Sequence, residues 1–294
     1  MINFHKFGFL DAKKLRDYLL DENYWLCRYN PIWLFVWSDL YKPEIAFTND
    51  FCYIRYLMPE IGMCYYPPIG HGNIKEGIEE LKQDAYDNGL DFNLGPVEEG
   101  MVHKIEQLKI KLLKNENYSS YIYLAEDIAF VKKTNNKEVI KLCKEFESKH
   151  KSAYIKKIKK EDFPEILEFI NNWNLLSIKD IKDTSFYSKL NMIKKCIDHL
   201  YELDLLGIIL RDEEKVYGVA IGSFIGNMSC LHVNLALPDV LGAQEELVSC
   251  FAKTASTVTR FINLEEDLGV KEVKAAKERY KPFKKESFYA NFSL

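Results

Sequence analysis

The amino-acid sequence passes twice through one succession of elements: strands, a glycine-bearing loop, a helix, a strand, a helix and a closing strand. A doubled order constrains a chain more than any single motif, because each copy must bury its own sheet face. In the first copy, residues 33–37, 45–47, 51–57 and 62–66 read as a meander of strands. Tyr41-Lys42-Pro43 and Asn49-Asp50 supply turn chemistry between them. The loop Pro67-Pro68-Ile69-Gly70-His71-Gly72 leads into an amphipathic helix at 74–88, then a strand at 90–94, a helix at 97–114 and a strand at 121–124. In the second copy a strand at 153–158 precedes Asp162-Phe163-Pro164, an N-cap side chain with proline in the first turn, and a helix-rich stretch to about residue 203. A hairpin at 206–211 and 217–225, a strand at 229–236 and the loop Leu237-Pro238-Asp239-Val240-Leu241-Gly242-Ala243 follow. A helix at 244–256, a strand at 259–263, a helix at 270–279 and a strand at 286–292 close the chain. The expected architecture is of the α/β (α+β) class, with two tandem domains that each hold a mixed central sheet flanked by helices. Residues 1–131 form the first, 132–151 a basic linker centred on a helix at 137–148, and 152–294 the second, which carries the active site.

The chain's 294 residues suffice for two cores, and 47% apolar with 14% aromatic side chains is a globular composition. No run reaches the roughly 18 apolar residues of a membrane span, so no transmembrane segment is expected. The N-terminus lacks a signal-peptide pattern. The seven cysteines (27, 52, 64, 143, 196, 230, 250) are odd in number, scattered and without a CxxC pair. They read as reduced thiols of a cytoplasmic protein, and with the histidines unpaired at metal-ligand spacing no metal site is expected. Charge is uneven: residues 1–131 carry a net −7, residues 132–160 a net +8 from eleven lysines, and residues 161–294 a net −5. The lysine run either attracts a phosphate-bearing partner or coats solvated faces of the linker helix and the next strand.

Mixed strands followed by loop, helix, strand, helix, strand is the order of the GNAT acyltransferase fold. Its central feature is a glycine-bearing loop feeding a helix N-terminus, where free N–H groups meet donor phosphate or carboxylate. Gly242 and Ala243 take that donor-binding place in the second copy, and Gly70 to Gly72 in the first. Phe261-Ile262-Asn263-Leu264-Glu265-Glu266-Asp267-Leu268-Gly269 then reads as a strand ending in asparagine, followed by an acidic loop. A helix ending at Tyr280 comes after it. In the GNAT fold, which this order resembles, the matching tyrosine sits beside the donor's sulfur and can protonate the leaving group, the role the resemblance implies for Tyr280. Glu266 and Asp267 read as base or amine binder, and Asn263 as a substrate positioner. The alternatives are that Asp267 caps the following helix and that Tyr280 is a core-edge aromatic.

The segment from Ile262 to Gly269, with Ala276-Lys277 and Tyr280-Lys281-Pro282, resembles the signature of the phosphatidylglycerol lysyltransferase C-terminal-domain-like family, whose stand-alone members are tandem GNAT proteins. The resemblance extends through Trp33 to Trp37, Pro67-Pro68-Ile69-Gly70, Tyr121 to Ala129, Gly218 to Gly222, His232 and Gly242-Ala243. It implies an acyl or aminoacyl transferase that draws on an aminoacyl-tRNA or acyl-CoA co-substrate, with no covalently bound cofactor. The acceptor would be a small-molecule, lipid or peptide amine or a hydroxyl. His232 and Lys277 join Asn263 as substrate-binding positions. Two departures stand out. A lysine-arginine-asparagine cluster usual in such proteins is absent from Lys137 to Phe146, and a usual His-x-Glu-Lys-Ala reads His232-Val233-Asn234-Leu235-Ala236. The alternative function is accordingly a non-catalytic ligand-binding protein on a degenerate tandem GNAT scaffold.

Overall fold

The structure, a computed structural model, describes residues 2–19, 24–59, 61–177 and 184–293. The first elements are β1 (His5–Lys6), α1 (Phe9–Tyr18), α2 (Pro31–Val36), α3 (Ser38–Tyr41), β2 (Glu44–Phe47), β3 (Phe51–Met58), β4 (Gly62–Tyr65), β5 (Ile69–Gly70), α4 (Ile74–Asp87), β6 (Asn93–Leu94), α5 (Glu99–Glu106) and β7 (Leu113–Leu124). They are followed by α6 (Ala125–Ala129), α7 (Lys137–Lys149), β8 (Tyr154–Lys157), α8 (Phe163–Ser177), α9 (Thr184–Asp198), β9 (Leu206–Arg211), β10 (Val216–Ile225), β11 (Met228–Ala236), α10 (Ala243–Ala255), β12 (Phe261–Asn263), α11 (Lys271–Arg279) and β13 (Lys284–Ala290). Part of the expected helix-rich stretch, residues 178–183, lies outside the described residues. None of the described helices is long and apolar enough to cross a membrane.

The fold is mixed α/β, with two mixed sheets flanked by helices. The chain forms two compact units: residues 1–120 with 266–269 and 285–294, and residues 121–265 with 270–284. In the first unit the sheet order is β1-β2-β3-β4-β6, with β5 beside β3; its neighbours are antiparallel except for the parallel pair β4 and β6. Ile78, Leu81 and Ala85 of α4 lie on one helical stripe and pack with Tyr53, Tyr65 and Leu94. The chain's last residues enter this unit: Val97 and Tyr289 exchange backbone bonds at 2.8 and 3.0 Å.

The second unit contains the run β7-β12-β11-β10-β9-β8. Only the end of β7 belongs to it, with Ile122, Tyr123 and Leu124 opposite Asn263, Ile262 and Phe261. β11 and β12 form its parallel pair. Helix α10 covers one sheet face with Leu247, Phe251 and Ala255, one turn apart, beside Val248 and Ala252. Gly222 of β10 must lack a side chain, because a Cβ there would stand 2.4 Å from the Cys230 carbonyl oxygen and 2.6 Å from the Phe251 ring.

Residues 33–37, expected as a strand, are instead mostly helix α2. The Asn30 side chain accepts the Ile32 N–H at 2.8 Å, and Pro31 opens the first turn, so a strong N-terminal signal directs the run into a helix. Pro31 through Val36 are all buried. A short helix buried on every side carries no alternation by which to tell it from a strand. The helix expected at 97–114 ends at Glu106, and β7 starts at Leu113, ahead of the expected residue 121.

Candidate active site

Strands β11 and β12 stay in register from Met228 opposite Phe261 to Cys230 opposite Asn263, and no further. At this parting β11 carries a bulge. Ile221 faces Val233 and Gly222 faces Leu231, which leaves His232 as the extra residue. A bulge re-aims one side chain out of the regular pleat. The His232 ring is held at both nitrogens, with Nδ1 2.8 Å from Glu265 Oε1 and Nε2 2.7 Å from Ser223 Oγ. Cys230 Sγ lies 3.8 Å from the same Glu265 oxygen. The side chain of His232 is fully buried and that of Glu265 is 16% exposed.

Glu265 reaches this position through an unfavourable backbone conformation. Its φ of 62° lies in the left-handed region, which costs a non-glycine residue of order 1–3 kcal/mol. Two hydrogen bonds hold it there. Asn263 Oδ1 accepts the Glu265 N–H at 2.7 Å, and the Glu265 carbonyl accepts the Tyr121 N–H at 3.2 Å. Asn263, fully buried, therefore sets the direction of the Glu265 carboxylate.

The other sequence candidates of this unit surround the start of α10 and the end of α11. Tyr280 follows α11, its ring edge-on to Tyr123 at 6.2 Å and packed with Val131, Val139 and Cys143. Its hydroxyl is buried and has no hydrogen-bond partner among the described residues. Burial above all, with Glu245 adding to it, pushes the Tyr280 hydroxyl well above the ordinary tyrosine range. Lys277 accepts the Tyr123 hydroxyl on its carbonyl at 2.8 Å, and its ammonium lies 5.7 Å from the centre of the Tyr121 ring. Gly242 has a φ of 83°, and a Cβ on it would sit 2.1 Å from the Leu142 carbonyl oxygen of α7. Ala243 is fully buried, and its N–H is engaged by the Val240 carbonyl at 3.1 Å. The first turn of α10 is acidic: Glu245 and Glu246 are buried, and Glu245 pairs with Arg279 at 2.9 Å. Along α7, Lys137, Ile140, Lys141, Lys144 and Glu145 line an open groove of about 390 Å³.

Glu266 and Asp267 belong to the first unit. Glu266 receives Arg28 in a two-point pair, Nε to Oε1 at 2.6 Å and Nη2 to Oε2 at 2.9 Å. The Arg28 guanidinium is fully buried, among the rings of Trp33 at 4.7 Å, Tyr41 and Tyr118 at 5.1 Å and Phe288 at 5.6 Å. Burial works against its charge, but the Glu266 carboxylate, with Tyr41 and Tyr56, more than offsets it and raises the guanidinium well above its ordinary range. Asp267 accepts the Gly269 N–H at 2.8 Å and so closes the turn, while the N-cap position of α11 is Val270.

The second unit thus holds Asn263, His232, Lys277, Tyr280, Gly242 and Ala243, and the first holds Glu266 and Asp267. Sequence reasoning missed Ser223, Cys230, Glu265 and Arg28. A strand that carries Cys-x-His, in the same domain as a strand trailing acidic residues, was the available signal for two of them, Cys230 and Glu265. Cys230, His232 and Glu265 also form a group that could hold a metal ion, their donor atoms lying within 4.8 Å of one another.

Residues 27–291 match the family model for the C-terminal region of phosphatidylglycerol lysyltransferase. The chain belongs to this family. Among solved structures, a conserved protein of unknown function from Bacteroides thetaiotaomicron is similar with a TM-score of 0.92 at 23% identity, over 99% of each chain. The L-PGS of Bacillus licheniformis is similar with a TM-score of 0.68 at 13% identity, over 96% of this chain and 93% of its own. The C-terminal domain of a putative lysylphosphatidylglycerol synthetase from Agrobacterium fabrum gives 0.65 at 10% identity, over 96% and 91%. At these identities the likeness is one of fold. No curated protein matches the sequence.

Proposed function

We propose that the chain transfers an activated aminoacyl group from an ester donor to an amine or hydroxyl acceptor. The observation that carries this reading is the buried Tyr280 hydroxyl, without a partner among the described residues, next to the first turn of α10 in a transferase-family fold. A buried hydroxyl left unpaired costs stability, and a leaving-group oxygen would satisfy it during turnover. The reacting carbonyl would lie where β11 and β12 part. There Asn263 and His232 fix the polar edge, and Glu265 meets the acceptor amine through Oε2, which makes no hydrogen bond among the described residues.

Two features favour an aminoacyl-tRNA ester over a CoA thioester. Glu245 and Glu246 in the first turn of α10, with the Leu142 carbonyl against Gly242, oppose a pyrophosphate at that helix end. The lysine-lined groove on α7 supplies positive charge for a phosphate backbone.

One observation supports a second reading, a ligand-binding protein without transfer activity. Glu266, proposed from sequence as the amine binder, is already neutralised by Arg28. The two readings separate in a thermal-shift and transfer screen against mixed charged tRNAs and a set of acyl-CoAs. Stabilisation by charged tRNA that weakens steeply with salt, together with consumption of the ester, supports transfer. Stabilisation without consumption supports binding alone, and a response to acyl-CoAs only would refute the ester donor.

A further inference from the structure

We propose that Cys230, His232 and Glu265 form a binding site for a thiophilic divalent cation of the zinc type; it shares His232 and Glu265 with the transfer reading above, but its test reads metal binding alone. The three donor atoms are a thiol sulfur, an imidazole nitrogen and a carboxylate oxygen, the ligand types that zinc combines. With metal–ligand distances of about 2.0–2.3 Å, a tetrahedral site separates its ligand atoms by roughly 3.3–3.6 Å. Here His232 Nδ1 lies 2.8 Å and Cys230 Sγ 3.8 Å from Glu265 Oε1, and the whole group fits within 4.8 Å. Closing the widest separation by about 1.2–1.5 Å, shared among the side chains, would place a metal among them.

The surroundings are those of a constructed ligand set. A metal-ligating histidine usually gives its second ring nitrogen to a fixed partner that orients the ring, and His232 Nε2 has one in Ser223 Oγ at 2.7 Å. The carboxylate is likewise supported, since the Glu265 backbone is held in its left-handed conformation by Asn263. Cys230 and His232 lie two residues apart on β11, a spacing that puts both side chains on one face of a strand, and their donor atoms fall in one group with that of Glu265. The thiol and the imidazole both point at one carboxylate oxygen, at 3.8 and 2.8 Å. A divalent ion bound to all three would replace these two hydrogen bonds by coordination. Three protein ligands leave a fourth position for water or a substrate atom, as in zinc sites that take part in chemistry.

Cobalt(II) reports on such a site directly. The full-length protein, stripped with a chelator and titrated with Co²⁺, is expected to show a thiolate-to-cobalt charge-transfer band and tetrahedral d–d bands. They should saturate at one equivalent and be displaced by Zn²⁺. Zn²⁺ should also raise the Tm of the stripped protein by mass action. Cys230→Ser should abolish the charge-transfer band, and Glu265→Gln should weaken Zn²⁺ binding at least tenfold. Cys250→Ser, at a half-buried cysteine outside the group, should change neither. A wild-type protein with no charge-transfer band and no Zn²⁺-dependent Tm shift overturns the proposal without any variant. Binding that persists unchanged in Cys230→Ser and Glu265→Gln, with far-UV circular dichroism intact, overturns it equally.

Discussion

Replacing Gly242 by alanine separates two roles that the sequence leaves superimposed, donor binding and chain packing. The glycine has a φ of 83°, and an added Cβ would sit 2.1 Å from the Leu142 carbonyl oxygen, 2.8 Å from its carbonyl carbon and 3.1 Å from Phe146 Cβ. The left-handed backbone alone costs an L-residue about 1–2 kcal/mol. The clash adds an overpacking cost of about 1–3 kcal/mol, because the atoms met are mainly helix backbone, which cannot swing aside. Gly242→Ala should therefore lose about 2–5 kcal/mol. Gly89 supplies the control: its φ is 64°, and nothing lies within 4 Å of the place an added methyl would take. Gly89→Ala should lose only the backbone part, about 1–2 kcal/mol. Urea unfolding followed by far-UV circular dichroism measures both. Equal losses in the two variants would refute the close approach of α7 to the start of α10. A stable Gly242→Ala protein with impaired donor binding would return the glycine to the donor site.

Two further outcomes follow from buried and surface charge. Glu266→Gln leaves the buried Arg28 guanidinium without its counter-charge and should destabilise by about 3–5 kcal/mol in urea unfolding; a loss under about 1 kcal/mol would contradict the pairing. Asp212 is held below the usual carboxylate range, first by the Tyr217 hydroxyl at 2.5 Å and then by the Glu214 N–H. A depressed carboxylate contributes stability above its unfolded pKa of about 3.9 and loses it as pH falls through the lower folded value. Asp212→Asn should accordingly flatten the fall in Tm below about pH 4, and an unchanged acid limb would contradict this.

Much of the fold was legible where it rests on long periodic elements. The face of α4 at Ile78, Leu81 and Ala85 and that of α10 at Leu247, Phe251 and Ala255 are visible as spacing alone. The run at 33–37 was not, because total burial erases the period that distinguishes helix from strand, and the deciding signal was the Asn30-Pro31 cap before it. The site was legible by segment but not by residue. Glu265, Glu266 and Asp267 look equivalent in sequence, yet the left-handed turn at Glu265 gives each its own partner: His232, Arg28 and the Gly269 N–H. Nothing local to Glu265 announces that turn, since glutamate has no preference for it. Arg28 was unreadable for a related reason. Its counter-ion lies more than two hundred positions along the chain, and its burial depends on rings drawn from four separate segments.

On the transfer reading Tyr280 serves a leaving group rather than the core, and Tyr280→Phe tests this in one protein. The hydroxyl is buried and makes no hydrogen bond among the described residues, so its removal should leave stability unchanged or raise it by up to about 1–3 kcal/mol. Transfer should nevertheless fall by about 10²–10⁴, the usual contribution of a positioned general acid. The measurement is the time course of ester consumption from charged tRNA with an amine acceptor present, read for wild type and variant beside their Tm values. A slowed reaction in a protein at least as stable as wild type is the expected result. Full transfer activity in Tyr280→Phe, or activity lost only in step with stability, would contradict it.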